Sequence, residues 1–202
     1  MSKSKLLFAT FLLAPLAVHA DEVESPDQLP QELRAFVEPG TKPIWFSKAD
    51  LDKDGKPDYL LVLQKDRKPG AEEYEMEETQ RPLLVLVDGE GGKLREAARN
   101  ERVVLCSNCG GVMGDPFVGI EAQAGAFTVM HYGGSSWRWS SNVKFGYSRK
   151  DRAWQLVRVE ESNFHTANPD KEKVEVATPP KDFGKIDFRD FDPEKWKGVG
   201  PR

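Results

Sequence analysis

The densest cluster of side chains able to do chemistry is Asp50-Leu-Asp52-Lys-Asp54-Gly55-Lys56-Pro-Asp58. Alternating aspartates place hard carboxylate oxygens on one side of a tight loop. Gly55 permits the sharp turn, and the carbonyl of Lys56 can add another oxygen. Calcium takes six to eight oxygens in flexible geometry, so the spacing predicts a site formed by Asp50, Asp52, Asp54, Lys56 and Asp58. It is not an EF-hand: with Asp50 as the first position, the twelfth is Leu61, where a bidentate glutamate is required. An apolar run, Tyr59 to Leu63, follows the loop, so the ion is expected to be structural and to pin two strands. An extracellular-type site of this kind binds calcium at roughly 10⁻⁴ to 10⁻³ M.

Cys106-Ser-Asn-Cys109 holds the only two cysteines of the chain. Three chemistries suit a C-x-x-C pair: a structural disulfide, a redox-active dithiol, or half of a zinc site. Gly110, Gly111, Gly114 and Pro116 argue against the helix N-terminus that activates a redox thiol. Zinc needs four ligands, and only His131 and His165 remain nearby in type. A disulfide between Cys106 and Cys109 is the expectation for an exported chain.

A third cluster runs from His131 through Gly133-Gly134-Ser135-Ser136 to Trp137-Arg-Trp139. With Asp115 it could compose a hydrolytic site, yet no G-x-S-x-G elbow is present. Phe127, Val129 and His131 share strand parity, which predicts a satisfied core or rim histidine. Trp137 and Trp139 could stack on a sugar, but their parity with Val143, Phe145 and Tyr147 predicts core packing. Asp115, His131, Trp137 and Trp139 are therefore possible binding residues, and no residue is assigned as catalytic.

The elements that must position these groups read as mainly β. Strands are predicted near residues 43–48, 58–64, 82–88, 93–99, 102–106, 117–122, 126–132, 136–148 and 153–161, punctuated by turn residues such as Asp88-Gly89 and Gly133-Gly134. Such short connections favour an antiparallel meander, whether an open sheet, a sandwich or a partial propeller. The run Pro82 to Val87 is apolar on both parities and belongs at the centre. A short N-terminal helix over Gln31 to Val37 should bury Leu33, Phe36 and Val37, ending at Pro39-Gly40. Lys65 to Gln80 reads as a charged, solvated hairpin loop, and residues 166–180 as a linker. The tail over 181–202, with Phe183, Ile186, Phe188, Phe191 and Trp196, is too aromatic to hang in water and should dock on the 21–165 domain.

The first 20 residues carry Lys3 and Lys5, then an apolar stretch, then small residues at Val18 and Ala20. That is the pattern of a signal peptide cut between Ala20 and Asp21, and it predicts a periplasmic or secreted protein. The apolar stretch is shorter than the roughly 20 residues that span a bilayer. Removing the segment takes two lysines and no acid, so the net charge falls from −4 to −6 over the remaining 182 residues. That acidity opposes nucleic-acid binding.

The motif D-x-D-x-D-G-x-x-D followed at once by an apolar strand resembles the calcium loop of FG-GAP and VCBS repeats, the blades of integrin-type propellers. The resemblance covers roughly residues 44–64 and occurs once, so it implies the ion site rather than a seven-bladed architecture. The order of Leu29-Pro-Gln-Glu-Leu33, the aspartate loop, Arg81 to Leu84, Cys106 to Phe117, His131 to Trp139 and Phe183 to Lys185 resembles a group of uncharacterised bacterial exported proteins. This second resemblance spans most of the mature chain and implies one domain.

These readings lead to a non-enzymatic, calcium-stabilised exported domain that binds a protein or glycan. The alternatives are a periplasmic hydrolase acting on cell-wall or glycan material, with its site between Gly110–Phe117 and His131, and a periplasmic inhibitor or immunity-type protein. A hydrolase requires an open pocket around His131. A binding module requires a solvent-facing patch away from the aspartate loop.

Overall fold

The computed structural model describes residues 19–66 and 80–195. The expected signal segment up to residue 18, most of the charged loop at 67–79, and Trp196 lie outside the described residues. Among the described residues, ten strands form two antiparallel five-stranded sheets, with the strands of each sheet following chain order. The first sheet contains β1 (His19–Glu22), β2 (Thr41–Ala49), β3 (Asp58–Lys65), β4 (Arg81–Asp88) and β5 (Leu94–Val104). The second contains β6 (Phe117–Gln123), β7 (Ala126–Gly134), β8 (Trp137–Ser148), β9 (Ala153–His165) and β10 (Lys173–Ala177). The antiparallel meander is thus present, in the form of two packed sheets.

The sequence explains which sheet is covered on both faces. Tyr59 to Leu63 and Leu83 to Val87 are buried at every position, as continuous apolar runs must be. Leu60, Val62, Leu83, Val85 and Val87 face the second sheet and meet Ile120, Phe127, Val129, Val143, Phe145 and Val159. Tyr59, Leu61, Leu63, Leu84 and Leu86 face the other way, onto Val23, Leu29 and Leu33. The lid on that face is a 3-10 helix at Gln31–Phe36 rather than an α-helix. Leu33 is fully buried, while Phe36 and Val37 are partly so.

Three predicted boundaries differ from those observed. The separate strands at 93–99 and 102–106 are one strand, β5, interrupted where Arg81 pairs with Val104 but Leu83 pairs with Asn100. Pro82 of β4 lies at that step and has no N–H to give the ladder, so the bulge falls there. The segment read as a linker contains β10, which pairs with β9 from Lys173↔Asn163 to Ala177↔Val159. β1 includes His19 and Ala20, the last two residues of the expected signal, while Asp21 and Glu22 continue the pairing with Phe46 and Trp45.

The tail docks as its aromatics require. Phe188 and Phe191 are buried, and both make edge-to-face contacts with Phe145. Asn100 secures them: its Nδ2 donates to the carbonyls of Phe188 (2.5 Å) and Phe191 (2.8 Å). Its Oδ1 accepts the N–H groups of Arg102 and Val103, both at 2.7 Å, inside the bulge. One buried amide therefore closes the β5 edge with the tail.

Candidate metal centre and the opposite loop cluster

The aspartate loop joins β2 to β3 and folds around its own carboxylates. Asp50 accepts the N–H of Asp54 (3.1 Å) and of Gly55 (3.2 Å), Asp52 accepts that of Asp54 (3.1 Å), and Asp54 accepts that of Lys56 (2.8 Å). Gly55 adopts φ +91°, a conformation glycine reaches without cost. Asp58, fully buried, accepts the N–H groups of Leu51 (2.8 Å) and Asp52 (3.2 Å), and that of Asp88 at 3.3 Å. It thereby ties the loop to the start of β3 and to the end of β4.

Carboxylate oxygens of Asp50, Asp52 and Asp58 converge within 4.8 Å of one another. Asp54, included in the expected ligand set, is not part of this group and lies on the exposed side. Lys56 sends its ammonium to Asp88 at 2.5 Å. Burial, with help from the Asp52 charge, pushes Asp58 up to about 6. Burial and the neighbouring Asp54 and Asp50 also raise Asp52. These shifts mark acids that are crowded and partly desolvated, with Arg95 offsetting only part of the effect on Asp52. The donor set fits a hard divalent cation, since each carboxylate has about four lone-pair sites and the amides leave some unused on Asp50 and Asp52.

The loop also reaches the second sheet. The carbonyl of Asp50 accepts the N–H of Gly125 in the β6–β7 turn (2.8 Å). The carbonyl of Leu51 accepts the indole N–H of Trp154 on β9 (3.1 Å), and the Leu51 side chain is fully buried in the intersheet core. An ion held here would brace both sheets rather than two strands alone. Trp154 and Gly125 carry no sequence signal linking them to the aspartates, so this tie was not foreseeable from spacing.

The cysteines lie at the other end of the sandwich. Cys106 and Cys109 form a disulfide with an S–S distance of 2.03 Å. It closes the first turn of the loop from β5 to β6. Beyond it, Gly110 accepts from Gly134 N–H and donates to Gly114 O, both at 2.8 Å. That loop delivers Asp115 to Arg81, which it meets through two bonds of 2.7 and 2.5 Å. Arg81 is only 2% exposed. Its remaining donors reach Gln64 and the carbonyl of Leu105. Arg81 was not singled out from sequence as a site residue, though a lone cation opening an all-apolar strand must find a carboxylate when buried.

His131 is 3% exposed and packs against Phe117. Its Nε2 accepts the N–H of Leu105 at 3.2 Å. Burial, assisted by the Arg81 cation, lowers its pKa to about 4. The imidazole is therefore neutral and committed to the backbone. Asp115, 2.5 Å from Arg81, is engaged as well.

The two tryptophans separate. Trp139 is buried and lies across Gly133, where a Cβ would stand 2.6 Å from the indole. Trp137, by contrast, is 62% exposed, although its parity predicts the core. It begins β8, just past the turn, at the end of the sandwich, where it meets His165 edge-on at 5.1 Å between ring centroids. Val112 is 84% exposed and Met113 45% exposed on the adjoining loop, whose Gly111 abuts Gly134. Strand β7 runs from the aspartate-loop end at Ala126 to this cluster at Gly134, a span of roughly 30 Å at strand rise.

Among the described residues no helix is long and apolar enough to cross a membrane. The chain matches no family model, and comparisons with curated proteins and with solved structures find nothing similar to it.

Proposed function

We propose that the chain is an exported, calcium-stabilised binding domain rather than a hydrolase. The observation that carries the reading is the convergence of Asp50, Asp52 and Asp58 on a loop bonded to both sheets. Three carboxylates this close repel one another, and a divalent cation removes that repulsion while cross-linking the layers. The ion has a structural task there, since the acids are also spent on holding backbone amides. The disulfide at Cys106–Cys109 is compatible with an oxidising compartment. Recognition is assigned to the opposite end, where Val112, Met113 and Trp137 project from a loop cluster held by the disulfide and the Arg81–Asp115 pair. Loops on a rigid β scaffold are a common place for binding residues.

His131, the candidate base for hydrolysis, is buried and neutral, and its Nε2 is occupied by Leu105, which favours a structural role. Thermal melts of the mature protein test the proposal. Millimolar calcium should raise the melting temperature over chelator, and the difference should vanish in Asp50→Asn/Asp52→Asn. Identical melts of the wild type in both conditions would reject the ion site.

A further inference from the structure

We infer that β10 is a strand-addition edge at which two copies of this chain pair antiparallel. A two-sheet sandwich has four edge strands, and among the described residues β1, β5 and β6 each touch an element other than their sheet neighbour. β1 and β6 lie against each other, with Trp45 of β2 packed on Phe117 of β6 and the Ser47 hydroxyl on the Ile120 carbonyl. The β5 edge is closed by the tail through Asn100. β10 makes its substantial contacts with β9 alone among the described residues. Lys173, Val174, Glu175 and Val176 are all exposed, with Val174 at 55% and Val176 at 43%. An open edge offers unpaired N–H and C=O groups to any extended chain.

Charge complementarity selects a second copy as the occupant and also selects the register. Charges on an edge ordinarily deter pairing. Here Lys173 and Glu175 stand two positions apart on one face, and the two valines occupy the other. In a two-fold antiparallel pair, residues facing each other across the axis must share a face, so the axis falls on a residue and not between residues. Centred on Glu175, the register opposes two glutamates. Centred on Val174, it places Lys173 of each copy opposite Glu175 of the other and sets the two Val174 side chains together. The β9–β10 register already puts Glu175 directly opposite Glu161. The Val174 register brings Lys173 of the partner subunit beside Glu175, where opposite charge is favourable.

Centred on Val174, the register pairs three β10 residues of each copy, Lys173 to Glu175, and so buries less than the standard interface of about 1,600 Å². The dimer is accordingly weak and reversible, with a dissociation constant on the order of 10⁻⁴ M. It would join the second sheets of two copies into one continuous ten-stranded sheet.

Sedimentation velocity on the mature protein, from ~10 μM to ~1 mM at low salt and with saturating calcium, tests this. The wild type should move from one copy towards two across that range. Glu175→Lys, which opposes lysine to lysine twice, should weaken association roughly tenfold or more. Lys173→Glu with Glu175→Lys exchanges the charges and should restore it. Both positions are exposed, so thermal melts of the variants should match the wild type and certify the fold. A wild type that stays monomeric at ~1 mM would overturn the inference. So would dimerisation indifferent to Glu175→Lys, which would place the interface elsewhere, or a charge exchange that fails to restore it.

Discussion

Between pH 7.5 and pH 5, two buried groups, His131 and Asp58, contribute to the stability of this domain with opposite slopes. His131 titrates near 4 in the folded protein, against about 6.5 in an unfolded chain. A group whose native pKa is depressed keeps its full contribution above the unfolded value and loses it as pH falls towards the folded one. By pH 5 the loss from His131 is about 2 kcal/mol, at roughly 1.4 kcal/mol per pH unit below 6.5. Asp58, raised to about 6 from about 3.9, has the reverse sign. Its contribution is present at low pH and disappears as pH rises through 6. At pH 5 it returns on the order of 1 kcal/mol, after allowance for screening by solvent around Asp50 and Asp52. Metal-free wild type should therefore lose about 1 kcal/mol on going from pH 7.5 to 5, a fall of roughly 2–4 °C in melting temperature for a chain of this size. His131→Gln retains an acceptor for Leu105 but does not titrate, so its stability should rise over the same interval. Asp58→Asn should instead lose about twice what the wild type loses. Urea midpoints of the three chelated proteins at the two pH values make the comparison. A His131→Gln protein with the wild-type pH slope would refute the assignment of a buried, neutral imidazole.

Other outcomes follow from the packing. Asn100→Ala strands two tail carbonyls and two bulge amides, a cost of roughly 3–5 kcal/mol when buried groups go unpaired; limited proteolysis should then cut between residues 178 and 187, where the wild type resists. Protein taken from an oxidising compartment should show no free thiol under denaturing conditions and two after reduction, because Cys106 and Cys109 are paired. Asp115→Asn leaves Arg81 buried against a neutral partner and should destabilise by about 3 kcal/mol, the usual scale for breaking a buried pair, discounted because Asp115 is half exposed.

Periodicity made most of the β architecture legible. The doubly apolar run Pro82 to Val87 announced a central strand, and the aromatic tail announced its own docking. β5 was read as two strands because Asn100 to Val103 breaks the alternation, and a bulge opposite Pro82 cannot be told from a turn by pattern alone. β10 was missed because every residue from Lys173 to Val176 is exposed. An edge strand with no buried face has the composition of a loop. Parity placed Trp139 correctly and Trp137 incorrectly, since parity fixes which side a residue faces but not whether the opposing layer extends that far. At the aspartate loop, spacing placed Asp50, Asp52 and Asp58 on one turn, and their carboxylate oxygens converge. It could not separate Asp54, whose carboxylate turns to its own backbone, from the acids that converge.

Calcium titration of the chelator-stripped mature protein by isothermal calorimetry, with magnesium in excess as a control, addresses the ion site itself. One calcium per chain is predicted, at a dissociation constant of about 10⁻⁴ to 10⁻³ M, unaffected by magnesium and lost in Asp50→Asn/Asp52→Asn. Absence of calcium-specific heat at millimolar concentrations, or heat that persists unchanged in that double variant, would contradict the assignment of Asp50, Asp52 and Asp58 as the ion's ligands.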